Sequence, residues 1–213
     1  MKYDFVPISQ RKPLRWPNGK RLAVMITTNL EYWEVTKDTP KPFYPGGPGI
    51  QFITQYAQSG LKGQIPLYTA FTIDELSLPR LKDLAVGIPG AQEWVNDLPN
   101  ETNKRFVTDY KQKYKSSPSF YGAQTYDAVA LIDSALKTVK NDVSKKEELR
   151  KALEKADFKS VRGDFKFGPN HIPIQNFYLQ DAVKQGDDYV LKTVATIVEN
   201  DQDKHVGKCN MPK

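Results

Sequence analysis

Cysteine and histidine are scarce in this chain of 213 residues. Cys209 is the single cysteine, so the sequence excludes an internal disulfide and a zinc site built from cysteines. The two histidines, His171 and His205, lack the close spacing of a metal-binding pair. His171 lies between Asn170 and Pro173, where we predict an exposed turn. No metal site and no disulfide framework are therefore predicted.

Long apolar runs are also absent. No segment reaches the roughly 18 to 20 apolar residues that cross a bilayer, so no membrane span is predicted. The opening sequence MKYDFVPISQRKPLRWPNGK has no apolar stretch between its charges and no small-residue cleavage site, unlike a secretory signal. The sequence as written therefore predicts a product that stays in the cytoplasm.

The positive charge is concentrated at one end of the chain. Residues 1–48 carry eight Lys or Arg against four Asp or Glu, whereas the remainder carries 23 against 21, for a net charge of +6. Since no binding motif accompanies these charges, we predict no nucleic-acid partner. The glycine-rich segment 46–49 lacks the lysine of a phosphate loop and is interpreted as an ordinary loop. No catalytic residue and no cofactor are predicted.

Proline is abundant in the first 48 residues, which hold seven of the fifteen prolines. We predict an irregular segment with one strand at 21–30, followed by Glu31. The sequence RWPNGKRLAVMITTNLEYWEVTKDTPKPFYPGGPG resembles the amino-terminal edge of the polysaccharide deacetylase family. This resemblance implies a role for Glu31 in metal-assisted amide hydrolysis, although the histidine ligands of that family have no counterpart here. A deacetylase-like hydrolase is the alternative function.

The pattern changes after about residue 48. A helix is predicted at 50–59 with Phe52, Ile53, Tyr56 and Ala57 facing inward and Gly60 ending it. A strand at 65–71, helical turns at 78–84 and a second strand at 86–94, irregular at Pro89-Gly90, follow. This alternation of helices and strands predicts an α/β fold with parallel strands.

Three helices and a hairpin complete the prediction. The helices cover 100–114, 119–140 and a segment that begins with the capping box Ser144-Lys145-Lys146-Glu147. The helix at 119–140 has an apolar stripe that is expected to face the core. Its members are Phe120, Ala123, Ala128, Leu131, Ile132, Ala135 and Val139. Strands at 174–183 and 189–197 are joined through 185–188, and the tail from Glu199 is expected to be frayed.

Residues 49–213 as a whole resemble the carboxy-terminal half of periplasmic solute-binding proteins of the leucine/isoleucine/valine type, the receptors of ABC importers. FYGAQTYDA, VRGDFKFGPNHIPIQNFYL and KCNM carry the resemblance. It implies part of a type I periplasmic-binding-protein fold, in which helices flank a parallel sheet and a β-hairpin lies at the carboxyl end. It also implies a periplasmic, non-enzymatic receptor that closes on a small amphipathic carboxylate or amino acid and delivers it to an ABC permease.

The resemblance also suggests which residues bind the ligand. Phe71 aligns with an acid that binds the ammonium group in amino-acid receptors, so an aromatic or aliphatic carboxylate is the expected ligand. Phe71, Thr72, Asp74 and Glu75 are the predicted ligand-binding residues. Asp74 and Glu75 have an alternative interpretation as favourable charges in the first turn of a helix.

Two segments would cross between the lobes of the receptor, 93–96 and 161–165. Trp94, Gly163 and Phe165 are the predicted hinge residues.

Half of such a receptor is not accounted for by this sequence. We therefore hypothesise a chimera of a deacetylase-like segment, 1–48, and a receptor fragment, 49–213. Surfaces that would pack on the other half are expected to be exposed and to drive self-association.

Overall fold

The protein, described by a computed structural model over residues 47–208, combines five helices with a mixed sheet. The α-helices are α1 Gly47–Gln58, α2 Leu78–Leu81, α3 Glu101–Tyr114, α4 Phe120–Thr138 and α5 Lys146–Lys155. Short 3-10 helices cover Lys82–Leu84 and Val206–Lys208. The strands are β1 Thr69–Ala70, β2 Gly90–Gln92, β3 Lys166–Phe167, β4 Pro173–Gln185 and β5 Asp188–Asp201. Among these residues no helix is both long and apolar enough to span a bilayer.

The sheet is only partly parallel. β1 pairs with β2 in parallel, whereas β2, β3 and β5 all pair with β4 in the antiparallel direction. β4 and β5 form the predicted hairpin through a turn at Gly186 and Asp187, where Gly186 has the positive φ of 65° that a tight hairpin turn requires. The α/β prediction is confirmed, and the hairpin is longer than predicted.

The core consists of two hydrophobic clusters. The first packs α1, α2 and the turn end of the hairpin around Ile53, Tyr56, Ile73, Leu78, Leu81, Ala85, Ile88, Ala182 and Leu191. The second packs α3 and α4 against the segment after β2, around Trp94, Val95, Leu98, Phe106, Phe120, Ala123, Val161 and Tyr178. Because β2 and β4 contribute residues near both clusters, the sheet joins the two halves of the core.

Two predicted strands are much shorter in the structure. The strand expected at 65–71 is reduced to Thr69–Ala70, and the one expected at 86–94 is reduced to Gly90–Gln92. Proline explains part of the shortening, because Pro66 and Pro89 have no N–H to donate to a neighbouring strand. The predicted irregularity at Pro89-Gly90 therefore becomes the start of β2. The predicted parallel pairing is found between β1 and β2, and the remaining pairs, which include the predicted hairpin, are antiparallel.

The helices agree better with the sequence, with three local corrections. Phe52 of α1 was expected to face inward but is exposed. In α4, Ala128 and Ile132 of the predicted stripe are exposed, while the polar side chain of Asp127 is buried. The predicted capping box of α5 does not form: Lys145 is the residue before the helix, and Asp142 Oδ1 accepts both the N–H and the hydroxyl of Ser144, at 3.1 and 2.6 Å.

Candidate ligand-binding site

The carboxyl ends of β1 and β2 lie side by side. Phe71 directly follows β1 and Glu93 directly follows β2. The Phe71 N–H donates to the Ala91 carbonyl oxygen at 3.2 Å, which extends the parallel pairing by one residue. In open α/β sheets, ligands bind in the crevice outside the carboxyl ends of the strands. This end of the sheet is therefore the candidate ligand-binding site.

Phe71 has an unusual backbone conformation. Its φ of 56° lies in the left-handed region, which a bulky aromatic residue seldom adopts and which costs roughly 1–3 kcal/mol. The side chain is nevertheless 42% exposed, so core packing does not explain the strain. Strain of this kind is concentrated at ligand-binding sites. The observation supports a role for the Phe71 ring in recognition.

Three aromatic side chains form a continuous row at this site, which we call the aromatic row: Phe71, Phe120 and Tyr121. The ring centroids of Phe71 and Phe120 are 5.2 Å apart, and those of Phe120 and Tyr121 are 4.0 Å apart. Phe120 is buried and Tyr121 is exposed. The row therefore has a fixed centre and two accessible ends, which suits contact with the face of a flat solute.

Helix α4 connects the aromatic row to the end of β2. Its first turn carries Phe120 and Tyr121, and one turn later the Gln124 side-chain amide donates to Glu93 Oε1. Glu93 is 3% exposed. Sequence reasoning did not select Phe120, Tyr121, Gln124 or Glu93 as site residues. The signal that could have found three of them is the FYGAQTYDA motif, which the sequence analysis used for the family resemblance but not for the ligand-binding site.

The predicted residues Thr72 and Asp74 have different environments. The Thr72 hydroxyl donates to the Ala70 carbonyl at 3.1 Å, beside Phe71. The buried Asp74 carboxylate accepts the N–H groups of Leu76 and Ser77 at 3.2 and 2.8 Å. It thus orders the turn before α2. The alternative interpretation, a charge in the first turn of a helix, was wrong, because α2 begins at Leu78 and its first turn has no acidic residue. Thr72 stays a candidate ligand-binding residue, whereas local hydrogen bonds already occupy Asp74 Oδ1.

The Glu75 side chain contacts the first predicted crossing, 93–96. Its Oε1 accepts from the Asn96 side-chain amide at 3.3 Å, while its buried Oε2 has no hydrogen-bond partner within residues 47–208. Burial raises the pKa of Glu75 to about 7, and the negative charge of Asp74 adds to this effect, while a backbone hydrogen bond and Lys111 oppose it. The carboxyl group is therefore close to half-protonated at neutral pH.

The first predicted crossing is held by side-chain amides. Trp94 is buried, and its Nε1–H donates to Asn103 Oδ1 at 2.8 Å. The Asn103 amide donates in turn to the carbonyls of Asn96 and Leu98 at 3.1 and 3.2 Å. These hydrogen bonds attach the segment after β2 to the start of α3.

The second predicted crossing is held by a buried ion pair. Asp127 of α4 is 2% exposed and accepts the Val161 N–H at 2.9 Å and the Arg162 Nε–H at 3.0 Å, and also the Ser160 hydroxyl. The Arg162 guanidinium also lies 4.5 Å from the centroid of the Phe165 ring. Gly163, between them, has a φ of 92°.

A single hydrogen bond connects the two crossings. The Asn100 side-chain amide donates to the Val161 carbonyl at 3.0 Å, while its Oδ1 caps α3 by accepting the Asn103 N–H at 2.8 Å. The side chains that fix Trp94 and Val161 therefore belong to one polar network. Trp94, Gly163 and Phe165 all lie in or against this network. That these segments cross between two lobes stays a prediction.

The described part of the chain holds no group of three or more metal-binding side chains. His171 is exposed in a turn, as predicted, with its Nε2 3.3 Å from Glu154 Oε1. His205 is also exposed. Glu31 and Cys209 lie outside the described residues.

Residues 43–187 match the family model described as periplasmic binding protein. The chain belongs to the periplasmic binding protein family. Among solved structures, a solute-binding protein of an ABC transporter from R. palustris, in complex with benzoate, is 34% identical with a TM-score of 0.61. The match covers 75% of this chain and 45% of that one. No curated protein matches the chain significantly.

Two further solved structures support the family assignment. A solute-binding protein of an ABC transporter from Rhodopseudomonas palustris BisB5, in complex with 3,4-dihydroxybenzoic acid, is 27% identical with a TM-score of 0.66. An ABC transporter substrate-binding protein from Sphaerobacter thermophilus is 26% identical, also with a TM-score of 0.66. The matches cover 78% and 72% of this chain and 46% and 42% of those chains. This chain thus spans less than half the length of these relatives.

The family model and the structure that is 34% identical confirm the resemblance to periplasmic solute-binding proteins, which are a family of binding proteins and not of enzymes. The family is one of periplasmic binding proteins. The comparisons give no support to the deacetylase-like alternative or to the chimera. The region that matches the family model begins at residue 43. The strand at 21–30 lies outside the described residues. The domain boundary at 48 stays a prediction, and residue 48 itself lies in the first turn of α1.

The ion pair between Asp127 and Arg162 is expected to be essential for stability. Replacing Asp127 with alanine leaves a largely buried guanidinium without its carboxylate, which should lower the free energy of unfolding by about 3–5 kcal/mol. Urea unfolding followed by circular dichroism measures the change. Asp133→Ala is the matched control, because Asp133 lies on the same helix in an exposed pair with Lys137 and should cost less than about 1 kcal/mol. Equal losses in the two variants would contradict this account.

Glu75 should make stability depend on pH. The pKa of Glu75 rises from 4.5 to about 7 on folding, so the folded protein binds more protons than the unfolded chain in this range. The free energy of unfolding should therefore fall as the pH rises from about 4.5 to about 7. Glu75→Gln removes this loss. The free energy of unfolding of the variant should therefore be higher than that of the parent by roughly 3 kcal/mol at pH 8 and by about 1 kcal/mol or less at pH 5. Urea unfolding at both pH values tests this.

The control for this pH experiment is Glu148→Gln on α5, where the side chain is exposed. This variant should show the same pH dependence as the parent. A Glu75→Gln variant with the pH dependence of the parent would show that Glu75 does not titrate abnormally.

Proposed function

We propose that this chain forms part of the solute receptor of an ABC importer and that the ligand is a small aromatic carboxylate. The receptor would act in the periplasm and deliver the solute to an ABC permease. The proposal rests on family membership for the class of protein and on the aromatic row for the class of ligand.

The aromatic row is the observation that supports an aromatic ligand. Phe71 offers a partly exposed ring where the alignment with amino-acid receptors expects an acid, and a phenyl ring cannot neutralise an ammonium group. It can instead stack on a flat apolar ring, which contributes roughly 0.5–1.5 kcal/mol beyond the burial of area. Since Phe71 is strained and Phe120 fixes its ring from behind, the surface is formed before ligand arrives.

Two relatives agree with this class of ligand. The R. palustris protein that is 34% identical was crystallised with benzoate, and the BisB5 protein that is 27% identical with 3,4-dihydroxybenzoic acid. Both ligands combine a flat ring with a carboxylate. These facts concern those two proteins and support the same class for this one.

The carboxylate of the ligand needs a partner from elsewhere. Glu93, directly after β2, already accepts from Gln124, and as a carboxylate it is unsuited to binding an anion. By the family resemblance, hydroxyl and backbone N–H groups of the other lobe bind the ligand carboxylate. We infer that this function belongs to the part of the receptor that this chain does not span.

The polar network around Asp127, Asn100 and Asn103 holds the two proposed crossings, which we propose act as the hinge of the receptor. A hinged receptor needs segments that bend at few residues while the flanking elements stay rigid. Gly163 has the backbone freedom of such a position, and Asp127 anchors the residues before it. We propose that bending between the lobes occurs around Gly163.

Thermal unfolding with a panel of ligands tests the proposed function. A ligand at one hundred times its Kd stabilises the folded state by about 2.7 kcal/mol, which raises the midpoint by several degrees. Benzoate and 4-hydroxybenzoate should raise it, whereas leucine, isoleucine and acetate should not. Cyclohexanecarboxylate separates stacking on an aromatic ring from general apolar contact and should have a smaller effect. A shift with leucine and none with benzoate would contradict the proposal.

Phe71→Gly separates ligand recognition from stability. Glycine adopts a φ of 56° without strain, and this relief should offset the lost ring contact, so the free energy of unfolding should stay within about 1 kcal/mol of the parent. Affinity for benzoate, measured by isothermal titration calorimetry, should nevertheless fall about tenfold or more. Tyr68→Ala removes an exposed aromatic side chain outside the aromatic row and should leave affinity unchanged. Unchanged affinity in Phe71→Gly would exclude the aromatic row as the site.

A further inference from the structure

A polar cavity of about 270 Å³ lies where β2 ends. Both proposed crossings line it, with Glu93 from the first and Arg162 and Asp164 from the second, and β4 adds Asn176 and Tyr178. A water molecule takes up roughly 30 Å³ in the liquid, so the cavity has room for several non-hydrogen atoms of a ligand.

Glu93 brings an unsatisfied hydrogen-bond acceptor to this cavity. Its side chain is 3% exposed, and its Oε1 accepts from the Gln124 side-chain amide. Its Oε2 is buried and has no hydrogen-bond partner within residues 47–208. Since Gln124 is not among the lining residues, Oε2 is the carboxylate oxygen that remains for a molecule in the cavity. A buried oxygen of this kind is unfavourable until a donor reaches it.

The charges around the cavity decide which end of a ligand can enter it. Glu93 and Asp164 are both acidic, and they repel a carboxylate. The Arg162 guanidinium does not offset this repulsion, because its Nε–H donates to Asp127 and its Nη1 donates to Gln175 Oε1 at 2.9 Å. The cavity therefore suits an uncharged hydrogen-bond donor such as a hydroxyl group.

The cavity and the aromatic row lie at the same end of the sheet. Phe71 follows β1 and Glu93 follows β2, and neighbouring strands are roughly 4.8 Å apart. Helix α4 contacts both residues, because Phe120 lies against Phe71 and Gln124 donates to Glu93. An aromatic carboxylate that stacks on Phe71, with its charge toward the other lobe, would direct the opposite edge of its ring into this lobe.

We propose that the receptor prefers aromatic carboxylates with a hydroxyl group on the ring, and that Glu93 Oε2 accepts the hydrogen bond from this hydroxyl. The inference rests on the proposed function, because it concerns the far end of the same ligand. A hydrogen bond to an ionised acceptor is stronger than one between neutral groups. A ligand without the hydroxyl would leave the oxygen unpaired, so Glu93 would determine specificity.

Isothermal titration calorimetry of the full chain with four ligands tests the proposal. At least one of 3-hydroxybenzoate and 4-hydroxybenzoate should bind about tenfold or more tightly than benzoate. In contrast, 4-methoxybenzoate has the ring oxygen without its proton and should show no such gain. An equal gain with 4-methoxybenzoate, or benzoate binding with no gain from either hydroxyl group, would overturn this inference and leave the proposed function intact. Binding of none of the four would overturn both.

Glu93→Gln reverses the character of the acceptor. Because the Gln124 amide needs an oxygen, the new side chain keeps its oxygen there and places its NH₂ group where Oε2 was. The advantage of the preferred hydroxybenzoate over benzoate should fall to about threefold or less, with little change for benzoate itself. Circular dichroism checks the fold.

Glu101→Gln is the matched control. It removes an exposed carboxylate of α3 that pairs with Lys104, and it should keep the preference of the parent. The parent preference in Glu93→Gln would overturn the assignment of Glu93. If that variant does not fold, the comparison with 4-methoxybenzoate on the parent chain still decides the question.

Discussion

Asp127 combines a buried charge with three hydrogen-bond donors that all belong to residues 160–162. Removing a carboxylate from water costs several kcal/mol, which only a close cation and well-placed donors can offset. Arg162 provides the cation and in turn donates to Gln175 of β4 at 2.9 Å. One side chain of α4 thereby sets the path of the chain from the helical layer back to the sheet. The helices and the sheet keep their relative positions because this contact is satisfied.

The candidate site depends on the same arrangement. Helix α4 starts with Phe120, which lies against Phe71 at the end of β1, and holds Glu93 at the end of β2 through Gln124. Displacing α4 would therefore separate the aromatic row. The strained backbone of Phe71 is tolerated because Phe120 and the pairing with Ala91 hold it from two sides. The hydrogen bonds of Asp127 hold α4 in place, and α4 in turn stabilises the left-handed backbone of Phe71, which is unfavourable on its own.

The sequence predicted the features that depend on neighbouring residues. Helix α3 was predicted at 100–114 and forms at Glu101–Tyr114, with Asn100 as its cap, and the hairpin follows from two alternating strands around Gly186. The lengths of β1 and β2 were overestimated, because an apolar run pairs only where another strand lies beside it. The capping box at Ser144 does not form, and Asp142 Oδ1 accepts the Ser144 N–H that the Glu147 side chain would accept in such a box. Asp127 could not be predicted as buried, since its partner Arg162 lies 35 residues away. For the same reason Phe71 was predicted as a site residue, but its contact with Phe120 was not.

Nuclear Overhauser effects between benzoate and the protein would test the central claim most directly, namely that the aromatic row recognises an aromatic carboxylate. The protein would be labelled with ¹³C in its phenylalanine and tyrosine rings, and benzoate would be added at saturating concentration. The account predicts cross-peaks from the benzoate ring protons to Phe71 and Tyr121, and their loss in Phe71→Gly. Cross-peaks confined to aromatic rings outside the row, such as Phe52 or Tyr189, would contradict it.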